Sequence, residues 1–328
     1  MNSGRLPAWL ARLTGSLPVG VPPHTFLLDA ERLRYGNLGH DRQGLRLRFY
    51  REQPLPADAF VSGVLGGPLR DPAGFAALVA ELVAGVPGGV REGSLVLPDA
   101  WLRVVFSESG DLPRGATARD EVLRWKLKRL VPFRVDELRV SAAHVRALPG
   151  QEEPRRLLLG FAVEQLLAQV EDAFAASRVH LGQITNSSLA LFAALAATVE
   201  PDAFSALAVA EAEAYTVIFA RGGEPVLYRY KSFADGLPES ARSGLVVRDL
   251  KLTRNFLDEH FPGTALGRVL LLAPPELEPL WLERLEGGLE APASPLDGRH
   301  LPPLRVEAAA PSWRDLAPLL GAARLEVA

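Results

Sequence analysis

Cysteine is absent from the 328 residues, which excludes disulfides, thiolate zinc sites and cysteine nucleophiles together. Lysine is scarce: Lys126, Lys128, Lys231 and Lys251 are the only four among 36 basic residues, so arginine carries nearly all the positive charge. Neither sign of charge is in excess. With 39 acidic residues the net charge is −3, a balance that calls for neither nucleic acid nor an anionic membrane as the main partner. Long apolar runs are missing as well. The longest, residues 188–199, falls well short of the roughly 20 residues that cross a bilayer. Arg5 and Arg12 break up the opening segment, which lacks the apolar stretch of a signal peptide. A cytoplasmic location is the expectation.

Catalytic signatures are equally sparse. The chain has no P-loop, no GxSxG nucleophile elbow, no HExxH metal helix and no GxGxxG dinucleotide turn after a strand. Its six histidines (His24, His40, His144, His180, His260 and His300) are dispersed, and no two have the spacing of a zinc pair. Glu152–Glu153 and Glu211 with Glu213 read as solvated loops. Asn186-Ser187-Ser188 matches a glycosylation pattern but reads better as a helix cap before an apolar run.

What is present is an ordinary globular composition, 48% hydrophobic and 23% charged, in a chain long enough for two domains or one composite domain. In residues 1–20, Leu6, Trp9, Leu10, Leu13 and Leu17 have helical spacing. This arm either packs on the body or docks on a partner or membrane surface. Residues 26–28, 45–50, 94–97 and 101–106 read as strands, and 72–83 as a helix with Phe75, Leu78, Val79 and Leu82 on one face. Residues 118–130 read as a helix, capped by Thr117 with Asp120 completing the box and ended by Pro132. A strand at 157–163 leads into a helix through Leu166, Leu167, Val170 and Phe174, and 188–198 is apolar nearly all round, hence central. Strands at 207–209, 215–220 and 226–230 surround a Gly222–Gly223 hairpin turn. A helix at 249–260, a strand at 269–272 and helices at 276–285 and 312–320 complete the chain. Strands and helices alternate throughout, which argues for α/β architecture, and no internal repeat is visible.

Five segments, taken in order, carry a resemblance. They are FLLDAERLRYG (26–36), DEVLRWKLKRLVPFRVD (120–136), RRLLLGFAVEQLLAQVEDAF (155–174), VHLGQITNSSLALFAAL (179–195) and TVIFARGGEPVLYR (216–229). Together, over residues 24–290, they resemble the PilM-type assembly proteins of type IV pili. Those proteins belong to the actin-like ATPases, as does the cell-division protein FtsA. The resemblance implies an α/β, actin-like (ribonuclease H-like) fold of two lobes with an inserted small subdomain. On that map 1–20 is an N-terminal arm, 21–90 plus 181–203 the first lobe, 91–180 the insertion, and 204–328 the second lobe. It further implies a cytoplasmic scaffold, peripheral to the inner membrane. Such a scaffold holds the cytoplasmic N-terminal tail of a membrane-anchored PilN-like partner beside the insertion, and meets the cytoplasmic motor ATPases.

The chain departs from the family where ATP and magnesium would bind. Asp29 stands at the acid of the first phosphate turn, but Glu31 replaces a glycine and adds negative charge facing a polyphosphate. In the second turn Ala210 replaces the acid, and Ala212 and Ala214 replace the glycines. In the third, Pro274 and Pro275 offer no N–H groups. These losses imply a pseudo-ATPase with no catalytic residues, no metal site and no nucleotide cofactor. Two alternatives remain: an active ATPase or small-molecule kinase of the same fold, and the cytoplasmic part of a GspL-type secretion protein. The expected partner surface is Trp125, Leu130 and Phe133. Trp125 lies about 200° round the helix from Leu123, Leu127 and their stripe, and is either an interface anchor or a core residue of the insertion. Arg124, Lys126, Lys128 and Arg129 would ring that surface.

Overall fold

The computed structural model describes residues 24–41, 44–108, 112–132, 134–145, 156–195, 204–263, 265–306 and 311–323. The N-terminal arm and Phe133 lie outside them. Among the described residues, those up to 145, 156–195 and 301–323 form one compact unit, and 204–300 form a second.

Unit 1 opens with β1 (His24–Leu28), in which Phe26 and Leu28 are fully buried, and continues into β2 (Arg32–Asp41) and β3 (Gly44–Pro54). β2 escapes the sequence reading, although Arg32, Leu33, Arg34 and Tyr35 alternate as a half-buried strand should, with Leu33 and Tyr35 inside. The helix α1 (Pro72–Ala84) starts where expected. The Asp71 carboxylate accepts the Gly74 N–H at 2.9 Å and Pro72 occupies the first turn. β4 (Glu92–Leu97) follows. Then come β5 (Arg103–Ser107), α2 (Ala116–Lys128), β6 (Leu138–Val145), β7 (Arg156–Val163), α3 (Glu164–Ala176), β8 (His180–Asn186) and α4 (Ser187–Leu195). α2 begins at Ala116 behind Gly115, without a side-chain cap, so the Thr117–Asp120 box does not form; Thr117 is already inside the helix. The Asn186 cap does form, its Oδ1 accepting the Leu189 N–H at 2.9 Å.

Unit 2 carries β9 (Phe204–Ala210), β10 (Ala214–Arg221), β11 (Glu224–Ser232), α5 (Glu239–His260), β12 (Leu266–Leu272), α6 (Glu278–Leu289) and β13 (Ala293–Pro295). Gly222 and Gly223 both have positive φ, 58° and 80°, the geometry a two-residue hairpin turn needs. α5 starts ten residues earlier than the sequence suggests. Ser240, Ser243 and Gly244 lower local helix propensity, yet Val246, Leu250, Thr253 and Leu257 bury one continuous face. That face and Trp281 of α6 pack with Phe204, Val217 and Phe219 of the sheet.

The chain then returns to unit 1 as β14 (Leu304–Val306) and α7 (Trp313–Ala322). The large sheet runs β14-β3-β2-β1-β4-β8, and the sheet of unit 2 runs β11-β10-β9-β12-β13. In both, the first strand pairs antiparallel with the second and parallel with the fourth. The two units thus repeat one strand order that no sequence repeat announces. Two boundaries move. β4 belongs to the large sheet and α3 packs against α1, so the insertion narrows to β5, α2, β6 and β7, whose separate three-stranded sheet runs β5-β7-β6. Residues 301–323 belong to the first unit, not the second, because β14 extends β3 and the apolar face of α7 seeks α4.

α4 is buried from Ser188 to Leu195, and α7 buries Leu316, Leu319 and Leu320. The two approach so closely that a Cβ on Gly321 would lie 1.5 Å from the Ala190 carbonyl oxygen. Gly287 in α6 has nothing within 4 Å of such a Cβ. Gly321→Ala should therefore lower the unfolding free energy by about 2 kcal/mol or more. Gly287→Ala should raise it by up to about 1 kcal/mol. Urea unfolding measures both, and equal effects would show that helix propensity, not the crossing, sets the outcome.

Candidate functional site

Two strand edges meet beside the insertion. β8 is the last strand of the large sheet and β6 the last strand of the small one. β8 was not read from sequence, and it is irregular. Gly93 pairs with Leu181 and Ser94 with Gln183, so Gly182 is an extra residue, a β-bulge in the edge strand. A Cβ on Gly182 would meet nothing within 4 Å. The space it would enter is a groove of about 270 Å³, lined among others by Arg139 and Ser141 of β6, Glu171 of α3, and Gly182, Gln183 and Thr185 of β8. A second hollow of about 510 Å³ lies against β6 and α2, lined by Arg119, Leu123, Val140 and Ala142, and it shares Ser141 with the first.

One wall of the groove is electrostatically fixed. The Arg139 guanidinium donates to Glu164 at 2.6 and 2.9 Å and to both carboxylate oxygens of Glu171 at 2.7 Å. β6 supplies the arginine and α3 both acids, so the clamp ties the small sheet to α3. The hydrogen bonds from Arg139 hold the Glu164 carboxyl below its ordinary pKa, against a smaller opposing effect of burial. The same bonds raise the arginine's pKa.

Within the sheet next to the groove a row of polar side chains is buried without partners. Gln183 is 2% exposed, and neither its Oε1 nor its Nε2 has a hydrogen-bond partner; Thr185 Oγ1 has none either. Gln183 pairs in register with Ser94, and Ser94 with Thr25. Both hydroxyls in that row are also buried without partners. Such rows are uncommon inside sheets, where buried polar groups are nearly always bonded.

The three turns at which the resemblance implies nucleotide contacts are held by bonds within the chain. The Asp29 Oδ1 accepts the N–H groups of Glu31 and Arg32 at 2.8 and 2.9 Å, and its Oδ2 meets Arg34 at 2.9 Å. Asp29 thus closes the β1–β2 hairpin, with Glu31 pointing to solvent. Ala210 and Ala214 are buried at the ends of β9 and β10, and Glu211 N–H bonds the Ala214 carbonyl at 2.9 Å. Arg242 donates to the Ala212 carbonyl at 2.8 Å and pairs with Glu213 at 3.0 Å. The Pro274 carbonyl accepts from Leu277 and Glu278, so Pro274 and Pro275 lead into α6. Among the described residues no cluster of three or more histidines and acids is arranged to hold a metal ion.

Of the expected partner residues, Trp125 and Leu130 do not line the groove, and Phe133 lies outside the described residues. Trp125 is 58% exposed and Leu130 45%, while Leu123 and Leu127 are buried. Trp125 is therefore not a core residue of the insertion, and neither it nor Leu130 lines either hollow. Of the four cations around it, Arg124 donates to the carbonyls of Val135 and Asp136, Lys126 to that of Glu108, and Arg129 stacks over the Trp125 ring at 5.3 Å. Sequence reasoning missed Arg139, Gly182 and Gln183. The signal available was the glycine inside an otherwise strand-like HLGQITN, which marks a bulge.

No protein-family model and no curated protein sequence matches the chain. Solved structures do match. A PilM-PilN type IV pilus biogenesis complex superposes with a TM-score of 0.68 at 16% identity, covering 94% of this chain and 98% of that one. A Bacteroides thetaiotaomicron protein with actin-like ATPase fold and unknown function gives 0.50 at 9% identity, covering 91% and 96%. The cytoplasmic domain of EpsL from the Vibrio cholerae type II secretion system gives 0.43 at 12% identity, covering 91% and 93%, too loose to weigh one machine against another. The chain has the actin-like fold. Among its described residues no helix is long and apolar enough to cross a membrane.

The clamp gives a pH test. A carboxyl held below its ordinary pKa stabilises the fold above its unfolded pKa, and that contribution is lost as pH falls through the folded value. At pH 7 Glu164→Gln should melt below the wild type. The gap should close as pH falls below about 4. Melting curves at pH 7, 5 and 3 check this, and a gap independent of pH would show that the carboxylate charge is immaterial.

Proposed function

We propose that the chain is a cytoplasmic scaffold of a type IV pilus machine. It takes the short cytoplasmic tail of a membrane-anchored PilN-like partner into the groove between β6 and the bulged edge of β8, and does not turn over nucleotide. The observation that carries this reading is the groove itself. It is open, flanked by two strand edges, and made roomy by a glycine bulge, in a chain whose fold follows that of a PilM-PilN complex over nearly its full length. Binding a peptide needs no catalytic group, and edge strands beside a preformed groove are a common way of holding extended segments. The turns at Asp29, Ala210–Ala214 and Pro274–Pro275 support the pseudo-ATPase part, because Asp29 is already engaged by Arg34 and by its own hairpin.

Filling the groove tests the first part. Gly182→Leu adds a side chain where there is open space, so the fold should survive and the groove should not. Binding of the cytoplasmic tail of a PilN-like partner should fall at least about tenfold, or 1.4 kcal/mol, with an unchanged melting temperature. Full binding by Gly182→Leu together with loss in Trp125→Ala would move the interface to the exposed face of α2. Calorimetry tests the second part. Mg-ATP should give no saturable heat up to about millimolar, a binding free energy weaker than about −4 kcal/mol; a micromolar dissociation constant would refute the pseudo-ATPase.

A further inference from the structure

We propose that the solvent-facing side of α5 is a second docking surface, shaped for an acidic amphipathic helix of a partner protein. It is independent of the groove, which lies in unit 1, whereas α5 belongs to unit 2. α5 buries Val246, Leu250 and Leu257 in the core of its own unit. The other side of such a helix is ordinarily polar, and here it is not. Leu245 is 51% exposed and Leu252 55%. Seven residues apart, they stand two turns along the helix and within about 20° of one another, so they form one stripe. Gly244 leaves a notch beside them, where a Cβ would meet nothing within 4 Å. An open hollow of about 530 Å³ extends over that notch, lined by Ser243, Val247, Arg248, Lys251 and Leu252. Single exposed leucines are ordinary; two in register beside a hollow form a patch that a partner can cover.

Charge decides what covers it. Between Ala241 and Asn255 the only acid is Asp249, and it is held by Tyr215, Arg229 and Lys231. Two of the four cations in that stretch are also engaged, Arg242 by Glu213 and Arg254 by Asp258. Arg248 and Lys251, which line the hollow, pair with no acid among the described residues. The patch is therefore apolar and cationic on a chain whose net charge is −3, and its complement carries apolar side chains flanked by carboxylates. A helix surface has no free backbone edge to pair with an extended segment, so packing of side chains must hold the occupant. A second helix supplies the matching ridge, and the notch at Gly244 admits it closely. A second copy of this chain fits poorly, because a two-fold axis between Leu245 and Leu252 sets Arg248 beside Arg248 of its copy. Two cations also fall short of the cluster of about four or more that anionic lipid requires.

A phage-displayed library of helical peptides of five turns, about 18 residues, selected on the full chain, supplies the probe. Only peptides that lose binding to Leu252→Gln are kept; that substitution preserves helix propensity, adds no charge and touches no core residue. The kept peptides should carry apolar residues at helical spacing with Asp or Glu beside them. Arg248→Glu combined with Lys251→Glu should weaken their binding about tenfold or more, and the loss in the wild type should deepen with added salt. Changing the peptide's acids to Lys should restore its affinity for the doubly reversed variant to within about threefold of the original pair. That recovery also shows the variant to be folded, since an unfolded chain binds neither peptide. Kept peptides without acids overturn the proposal, as does affinity that charge reversal leaves unchanged or that the swapped peptide does not recover. Selection of no Leu252-dependent peptide overturns it too. In that case dimerisation lost in Leu252→Gln, read by sedimentation, gives the face to a second copy. Leu252-dependent binding to phosphatidylserine vesicles gives it to a lipid surface. None of these outcomes touches the groove, so the two readings fail separately.

Discussion

A helix buried on every side must be covered on every side, and in unit 1 that cover depends on one residue without a side chain. α4 has no polar face: Ser188 through Leu195 are all inside. α7 lies against it with Gly321 almost touching the Ala190 carbonyl. The start of α4 is held just as tightly. The Asp99 carboxylate accepts from the Ser188 hydroxyl at 2.5 Å and from its N–H at 3.3 Å, while the Asn186 amide donates to the Leu102 carbonyl at 2.9 Å. Asp99 and Leu102 belong to the passage from β4 into the insertion. The helix that α7 clamps therefore also fixes where the insertion leaves the large sheet. β8 runs straight into this helix, so the edge bordering the groove is rigid at one end and bulged in its middle.

A sheet edge exposes unpaired backbone groups and invites association. Unit 1 sets two such edges side by side and keeps them from closing on each other. The bulge at Gly182 turns β8 out of register, and the Arg139 clamp draws β6 toward α3. The result is a slot with a charged, self-satisfied wall.

Much of the fold could be read from sequence where local chemistry decides it. Asp71-Pro72 before α1, Asn186 before α4 and the paired glycines of the β10–β11 hairpin each act within a few residues. The unread parts are those decided by distant partners. β2 alternates cleanly only over Arg32–Tyr35 before Gly36 and Gly39 interrupt it, and Gly182 interrupts β8 in the same way; neighbouring strands make them strands. α7 was assigned to the second lobe by chain order, yet its apolar face matches α4. At the site, Trp125 drew notice because tryptophan is conspicuous, and it lies on an exposed face away from the groove. Gly182 and Gln183 were overlooked because an absent side chain and an unpaired amide mean something only once their surroundings are known.

The detour of the chain between α4 and α7 has a consequence for how the protein is made. Unit 2 is one uninterrupted stretch and can collapse as soon as it is synthesised, but α4 waits for a helix more than a hundred residues downstream. At about 5–20 residues per second, that delay is on the order of ten seconds. Throughout it a helix that is buried on every side in the finished fold lacks its cover, so nascent unit 1 keeps apolar surface exposed until α7 emerges.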